Sequence, residues 1–201
     1  MLQKQAVKPE LLELLEQLML VDEFTNFNFR GNCVSVIWRT SIVCRYWYVW
    51  KSDIDTDKFT DILKEKGETI ILSQSPKILI FSINGIKVDF VDYNFELLEP
   101  LTIIEGIRLV SKKDIAAMKL NAIAGRGSKK DFIDVFQLLN EFTLTEMLTF
   151  YSQKYPNGSE FMVLKSMLYF DDAENEPDPL MIIPISWEEV KERIVLEVRN
   201  I

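Results

Sequence analysis

Apolar positions fall into short blocks whose period changes along the chain. Leu11, Leu12, Leu14, Leu15, Leu18 and Leu20 recur at helical spacing after Pro9. They predict an opening helix with a core-facing side, ending near Val21 to Phe24. Residues 33–50 are instead dense in Val, Ile, Trp, Tyr and Cys, which predicts one or two strands with a turn near Arg39 to Ser41. Asp55 stands where it can cap a helix running through Phe59, Ile62 and Leu63 to a stop at Gly67. Thr69 to Leu72, Ile78 to Ile83 and Ile86 to Val91 then predict a small antiparallel sheet. Asn84-Gly85 joins the last two strands, because that dipeptide accepts the positive φ angles of a tight hairpin turn.

Beyond a loop holding Pro100 the period becomes helical. Ser111 and Asp114 form an approximate capping box for a helix through Ala116, Met118, Leu120 and Ile123, stopped by Gly125 and Gly127. Ser128 and Asp131 repeat the device for a helix whose Phe132, Val135, Phe136 and Leu139 share an apolar face. Further helices are expected over about Leu144 to Lys154, Ser159 to Phe170 and Trp187 to Val198. The acidic, proline-bearing stretch from Asp171 to Pro179 reads as a solvated connector. The expected fold class is α/β in the α+β sense: an α/β core over residues 1–110 and a helical part over 111–201 packed on it.

Composition narrows the chemistry. A chain of 201 residues, 48% hydrophobic, has enough apolar material for one ordinary core. Arg39 and Arg45 interrupt the strongest apolar stretches, none of which reaches the roughly 20 residues needed to cross a bilayer. The opening residues run into an amphipathic helix carrying Glu10, Glu13 and Glu16, not an apolar signal core, so a cytoplasmic location is expected. Cys33 and Cys44 lack disulfide-framework or metal-binding spacing. A net charge of −8 argues against nonspecific adhesion to nucleic acid, and no specific DNA binding is expected, although a local basic patch near Arg126 remains. Histidine is absent, which excludes Ser-His-Asp or Cys-His catalysis and histidine-ligated zinc. Catalysis, if any, must use carboxylates, lysine or hydroxyls.

The residues that could carry it lie between Ile86 and Phe142. Asp89 alternates with Val88 and Phe90, so its neighbours can enter a core while it points to a ligand-bearing face or to solvent. Lys119 stands among Ala116, Ala117, Leu120 and Ala122; such a lysine either snorkels to solvent or contacts phosphate. Arg126, Lys129 and Lys130 surround the positive end of the following helix, either as an anion site or as a solvated basic turn. Asp131 is explained by its capping position or by a place in such a site, with Asp134 one helical turn on along the same face.

The order of an acidic strand, IKVDFVDY, a lysine-bearing helix, then Arg-Gly-Ser-Lys-Lys-Asp-x-x-Asp within EGIRLVSKKDIAAMKLNAIAGRGSKKDFIDVFQLL, resembles the AbiEii/AbiGii nucleotidyltransferase toxins. The resemblance implies metal-dependent transfer of a nucleotide from a triphosphate to an acceptor, tRNA being one candidate, by the toxin half of a toxin-antitoxin or phage-defence pair. It implies that Asp89 binds Mg2+ or Mn2+, that Lys119, Arg126, Lys129 and Lys130 contact the nucleotide, that Lys119 and Asp131 are catalytic, and that an antitoxin protein is a partner.

Ahead of this run the family has a glycine-threonine opening, histidine-arginine, then serine and an Asp-x-Asp pair. Here Gly31 is followed by NCVSVIWRTSIVCRYWYVWKSD, with three tryptophans in thirteen residues. Dropping the first base of the Gly31 codon permits the translation GTAFQLFGGHRLSVDIGMFG. That reading restores glycine-threonine, histidine-arginine at codons 40 and 41, and aspartate at codon 45. Residues 31–50 therefore read as frame-shifted. The single codon of Trp47 forces glycine at the position of the second metal carboxylate. Asp53-Ile54-Asp55 lies too far beyond Gly31 to replace the pair and reads as a helix start. Activity of the chain as it stands is expected to be impaired, and the competing class is a catalytically inactive module that binds an antitoxin or another protein.

Overall fold

The computed structural model describes residues 9–21, 46–50, 56–179, 181 and 183–201. They form two compact units: Met1–Asn94 with Leu101–Val110, and Phe95–Pro100 with Ser111–Ile201. The strand reading of residues 33–45, the turn at 39–41 and the cap at Asp55 lie outside the described residues.

The first unit contains helix α1 (Pro9–Met19), strand β1 (Tyr46–Trp50), helix α2 (Thr56–Lys64) and strands β2 (Thr69–Gln74), β3 (Ile78–Ile83) and β4 (Ile86–Asp92). The sheet order is β1-β4-β3-β2. β1 runs parallel to β4 and the other neighbours are antiparallel, which makes the sheet mixed. Strand alternation places Leu79, Phe81, Ile83, Val88 and Phe90 on one buried face, where α2 contributes Phe59 and Leu63. Phe90 meets Phe59 and Phe81 edge-on at ring-centroid distances of 5.2 and 5.7 Å. Asn84 and Gly85 take φ of 50° and 77°, as the dipeptide predicts, and Asn84 Oδ1 accepts the Glu68 amide at 2.9 Å. Leu14, Leu15 and Leu18 of α1 are buried, whereas Leu20, expected on the same face, lies in the turn after the helix and is exposed.

A second hairpin, β5 (Thr102–Ile104) and β6 (Ile107–Leu109), occupies what the sequence pattern suggests is plain loop. Its turn is Glu105-Gly106, both at positive φ. Glutamate is not a usual residue for that position, which hides the hairpin from turn statistics.

The second unit is helical: α3 (Lys112–Gly125), α4 (Lys129–Leu138), α5 (Leu144–Lys154), α6 (Glu160–Met167), the single turn α7 (Asp171–Glu174) and α8 (Trp187–Arg199). α3 is central, packing against α4, α5 and α6. Its buried Ile115, Ala116, Ala117 and Leu120 allow that close approach. Ser111 caps α3 as expected, its Oγ accepting the Asp114 amide at 3.1 Å.

The Asp114 side chain does more. It accepts from Lys154 Nζ at 2.6 Å, from Ser111 Oγ at 2.7 Å and from the Leu98 amide at 2.9 Å, and Lys154 also donates to the Glu96 carbonyl at 2.8 Å. One buried ion pair thus ties α3, α5 and the 95–100 segment together. Among the described residues no helix is long and apolar enough to cross a membrane. The class is α+β, with a small mixed sheet flanked by helices.

Candidate functional site

The turn between α3 and α4 brings together four charged side chains from the second unit. Gly127 makes the turn possible: its φ is 53°, a left-handed conformation that glycine adopts without strain. Arg126, just before it, grips Asp131 with two parallel bonds, Nε to Oδ2 at 2.7 Å and Nη2 to Oδ1 at 2.9 Å. Ser128 Oγ donates to the same carboxylate at 2.6 Å. From α3, Lys119 Nζ lies 3.2 Å from Asp131 Oδ1 and 2.6 Å from Asp134 Oδ2. Asp131 is fully buried and the Lys119 side chain is only 15% exposed, so this lysine does not snorkel to solvent.

Burial alone would push the Asp131 carboxyl up, but the bonds from Arg126 and the charge of Lys119 outweigh it and hold Asp131 well below the usual carboxylate range. Asp134 goes the other way, because burial dominates over the pull of Lys119. Burial also works against the charge on Lys119, yet Asp134 and Asp131 together raise its pKa and keep it an ammonium. Two carboxylates on one helix face thus differ in proton affinity, with Asp131 fixed as the anion. Lys119 thus holds both carboxylates at once, from the neighbouring helix.

The basic turn divides. Arg126 and half-buried Lys130 stay with the cluster, Lys130 acting on Asp134 through its charge. Lys129 does not. It is buried, and its Nζ donates to the Glu176 carbonyl at 2.6 Å and to Asp178 Oδ1 at 3.1 Å while lying over the Trp187 ring. The acidic stretch read as a solvated connector is therefore partly an internal clamp. The second capping box also differs from expectation: Ser128 makes no side-chain cap bond to the backbone, because its hydroxyl is drawn to Asp131.

In the first unit, Asp89 sits on β4 between the core residues Val88 and Phe90, facing the other side of the sheet. It is only 6% exposed, and its Oδ1 has no hydrogen-bond partner; Lys87 Nζ stands 3.6 Å away, too far for a hydrogen bond. The strand register pairs Asp89 with Ile80 of β3 and with Trp47 of β1. An orphaned buried carboxylate oxygen is the kind of group a cation satisfies. Yet among the described residues no three Asp, Glu or Cys gather where they could hold a metal ion, and the register position beside Asp89 carries tryptophan. The described residues supply one ligand and do not make a divalent-cation site.

A protein from Aquifex aeolicus, the uncharacterized protein aq_aa25, is 33% identical over 92% of this chain and 93% of its own length. The chain belongs to the same family. No family model matches the chain. Two crystal structures from Helicobacter pylori share the fold of this family member. A candidate nucleotidyltransferase superposes with a TM-score of 0.56 at 13% identity, covering 96% of this chain and 95% of that one. JHP933 gives 0.55 at 14% identity, covering 96% and 92%. The family member has a nucleotidyltransferase-like fold.

Proposed function

We propose that this chain is a nucleotidyltransferase of the AbiEii/AbiGii toxin type, able to bind a nucleoside triphosphate and impaired in transferring the nucleotide to an acceptor such as tRNA. The observation that carries this reading is the convergence of Lys119, Arg126, Asp131 and Asp134 at the α3–α4 turn. Asp131 holds Lys119 and Arg126 in place, and these two cations with Lys130 meet the phosphates. Asp131 is a positioning residue in this scheme, acting through Lys119 and Arg126. Impairment follows from the sheet. Asp89 has no second or third carboxylate beside it among the described residues, and its register neighbour on β1 is Trp47, where the toxin family carries a metal carboxylate, so no transfer step is routed through a metal here.

A second reading is an inactive module that binds an antitoxin protein. The exposed apolar side chains of Phe161, Met162, Leu168 and Tyr169 on and just after α6 favour it.

Titration of labelled ATP, GTP, CTP and UTP separates the two. Saturable binding is expected, weakened about tenfold or more in Lys119→Ala, because a charge-assisted contact to phosphate contributes roughly 1.5–3 kcal/mol. Thermal unfolding shows whether that variant remains folded. Absence of saturable binding to all four nucleotides contradicts the enzyme reading and leaves the interaction module standing.

A further inference from the structure

The sheet of the first unit ends on an apolar, uncharged edge. Among the described residues β2 is an outer strand, paired to β3 on one side and to no strand on the other. Its sequence, TIILSQ, contains neither a charge nor a proline, the residues that ordinarily keep such an edge from pairing with another chain. Ile70 and Leu72 are more than half exposed, and Ile71 is 41% exposed. Ile71 pairs with Phe81 of the core face, so alternation puts Ile70 on the opposite face and the edge presents apolar side chains on both. The register shifts between Ile71 and Ser73, which leaves Leu72 without a partner on β3. Charges stand outside the strand and differ at its two ends: Glu65, Lys66 and Glu68 precede it, and Lys77 follows it. Glu68 and Lys77 are both exposed.

We infer that β2 is a self-association edge, along which a second copy of this chain pairs antiparallel across a twofold axis. A twofold perpendicular to the strand sets each residue of one copy beside its counterpart position in the other, so every contact forms twice. That arrangement carries the Glu68 end of each strand to the Lys77 end of its partner and brings acid to base at both ends. Parallel pairing would set Glu68 beside Glu68 and Lys77 beside Lys77. Main-chain bonds along the edge supply affinity, while Ile70, Ile71 and Leu72 of the two copies cover one another in the middle. The two four-stranded sheets become one and the β2 edge is consumed, so association through it stops at the dimer.

The test is sedimentation velocity of the full chain from about 1 to 100 µM. The sedimentation coefficient is expected to rise from that of a monomer to that of a dimer across this range and no further. Leu72→Lys sets two like charges in the middle of the pairing, at a residue outside the core, and is expected to weaken the dimer roughly tenfold or more. Glu68→Lys and Lys77→Glu each set like charges at both ends and are expected to weaken it by a smaller factor, whereas the two together restore opposite charges and recover the dimer. Circular dichroism shows which variants keep their fold; should Leu72→Lys lose it, the charge reversals on exposed residues decide alone. A chain that stays monomeric throughout, that associates beyond the dimer, or whose dimer is indifferent to Leu72→Lys contradicts self-association along β2. Charge reversals that show no recovery in the double variant contradict the antiparallel twofold.

Discussion

Lys154→Met is expected to destabilise the helical unit by about 3–5 kcal/mol, the cost of leaving one partner of a buried ion pair uncompensated. The Lys154 and Asp114 side chains are both wholly shielded from solvent. Removing the ammonium takes the counter-charge from the buried Asp114 carboxylate, which keeps only the neutral donors of the Ser111 hydroxyl and the Leu98 and Glu99 amides, and takes one bond from the Glu96 carbonyl. Methionine fills the volume, so the loss measures charge and hydrogen bonding and not a cavity. In thermal unfolding the midpoint is expected to fall by roughly 10 °C, at a few degrees per kcal/mol for a chain of this size. The double variant Lys154→Met, Asp114→Leu removes both charges and is expected to recover part of that loss, since a buried pair contributes less than the damage done by breaking it. A midpoint unchanged in the single variant would mean the pair is not buried.

Asp131→Asn is expected to be nearly as damaging, at about 3 kcal/mol, since it takes the anion from between Arg126 and Lys119. The effect has a pH signature. The pKa of Asp131 is depressed in the folded state, so its contribution is complete above the unfolded carboxylate value of about 3.9 and declines as the pH falls further below it. Asp134, whose pKa is raised by burial, has the opposite sign: its proton is favoured in the folded state, which offsets part of the acid loss. Unfolding midpoints measured from pH 6 to pH 2 are therefore expected to fall more steeply for the unaltered chain than for Asp131→Asn, the two curves converging in acid. Parallel curves would exclude Asp131 as the fixed anion of the cluster.

Local chemistry made much of this fold readable. Asn84-Gly85 announces its hairpin because few dipeptides tolerate two positive φ angles. The spacing of Ala116, Ala117 and Leu120 marks the helix that others pack against. The Glu105-Gly106 hairpin was harder to see, because one turn residue is atypical and its strands are three residues each. Long-range partners were beyond reach. Asp114 and Lys154 are 40 positions apart, and Lys129 and Glu176 are 47 apart; periodicity reports which face a residue occupies, not which distant charge meets it there. Lys119 shows the limit from the other side. Its alanine-rich setting by itself favours a solvent-seeking lysine, and only the helix across the turn, carrying Asp131 and Asp134, holds it inside instead.

The strand register bears on the disturbed segment. Position 47, where the shifted reading places glycine and the toxin family a metal carboxylate, lies directly beside Asp89. The most direct measurement is nucleotide transfer from labelled triphosphates to total RNA with magnesium, comparing three chains. The first is the sequence as it stands, the second has residues 31–50 replaced by GTAFQLFGGHRLSVDIGMFG, and the third is that replacement carrying aspartate at position 47. Transfer is expected to be absent in the first and strongest in the third, with Lys119→Ala removing it. Transfer by the first chain as efficient as by the third would contradict a lesion in residues 31–50 and make Asp53 and Asp55 the leading candidates for metal ligands.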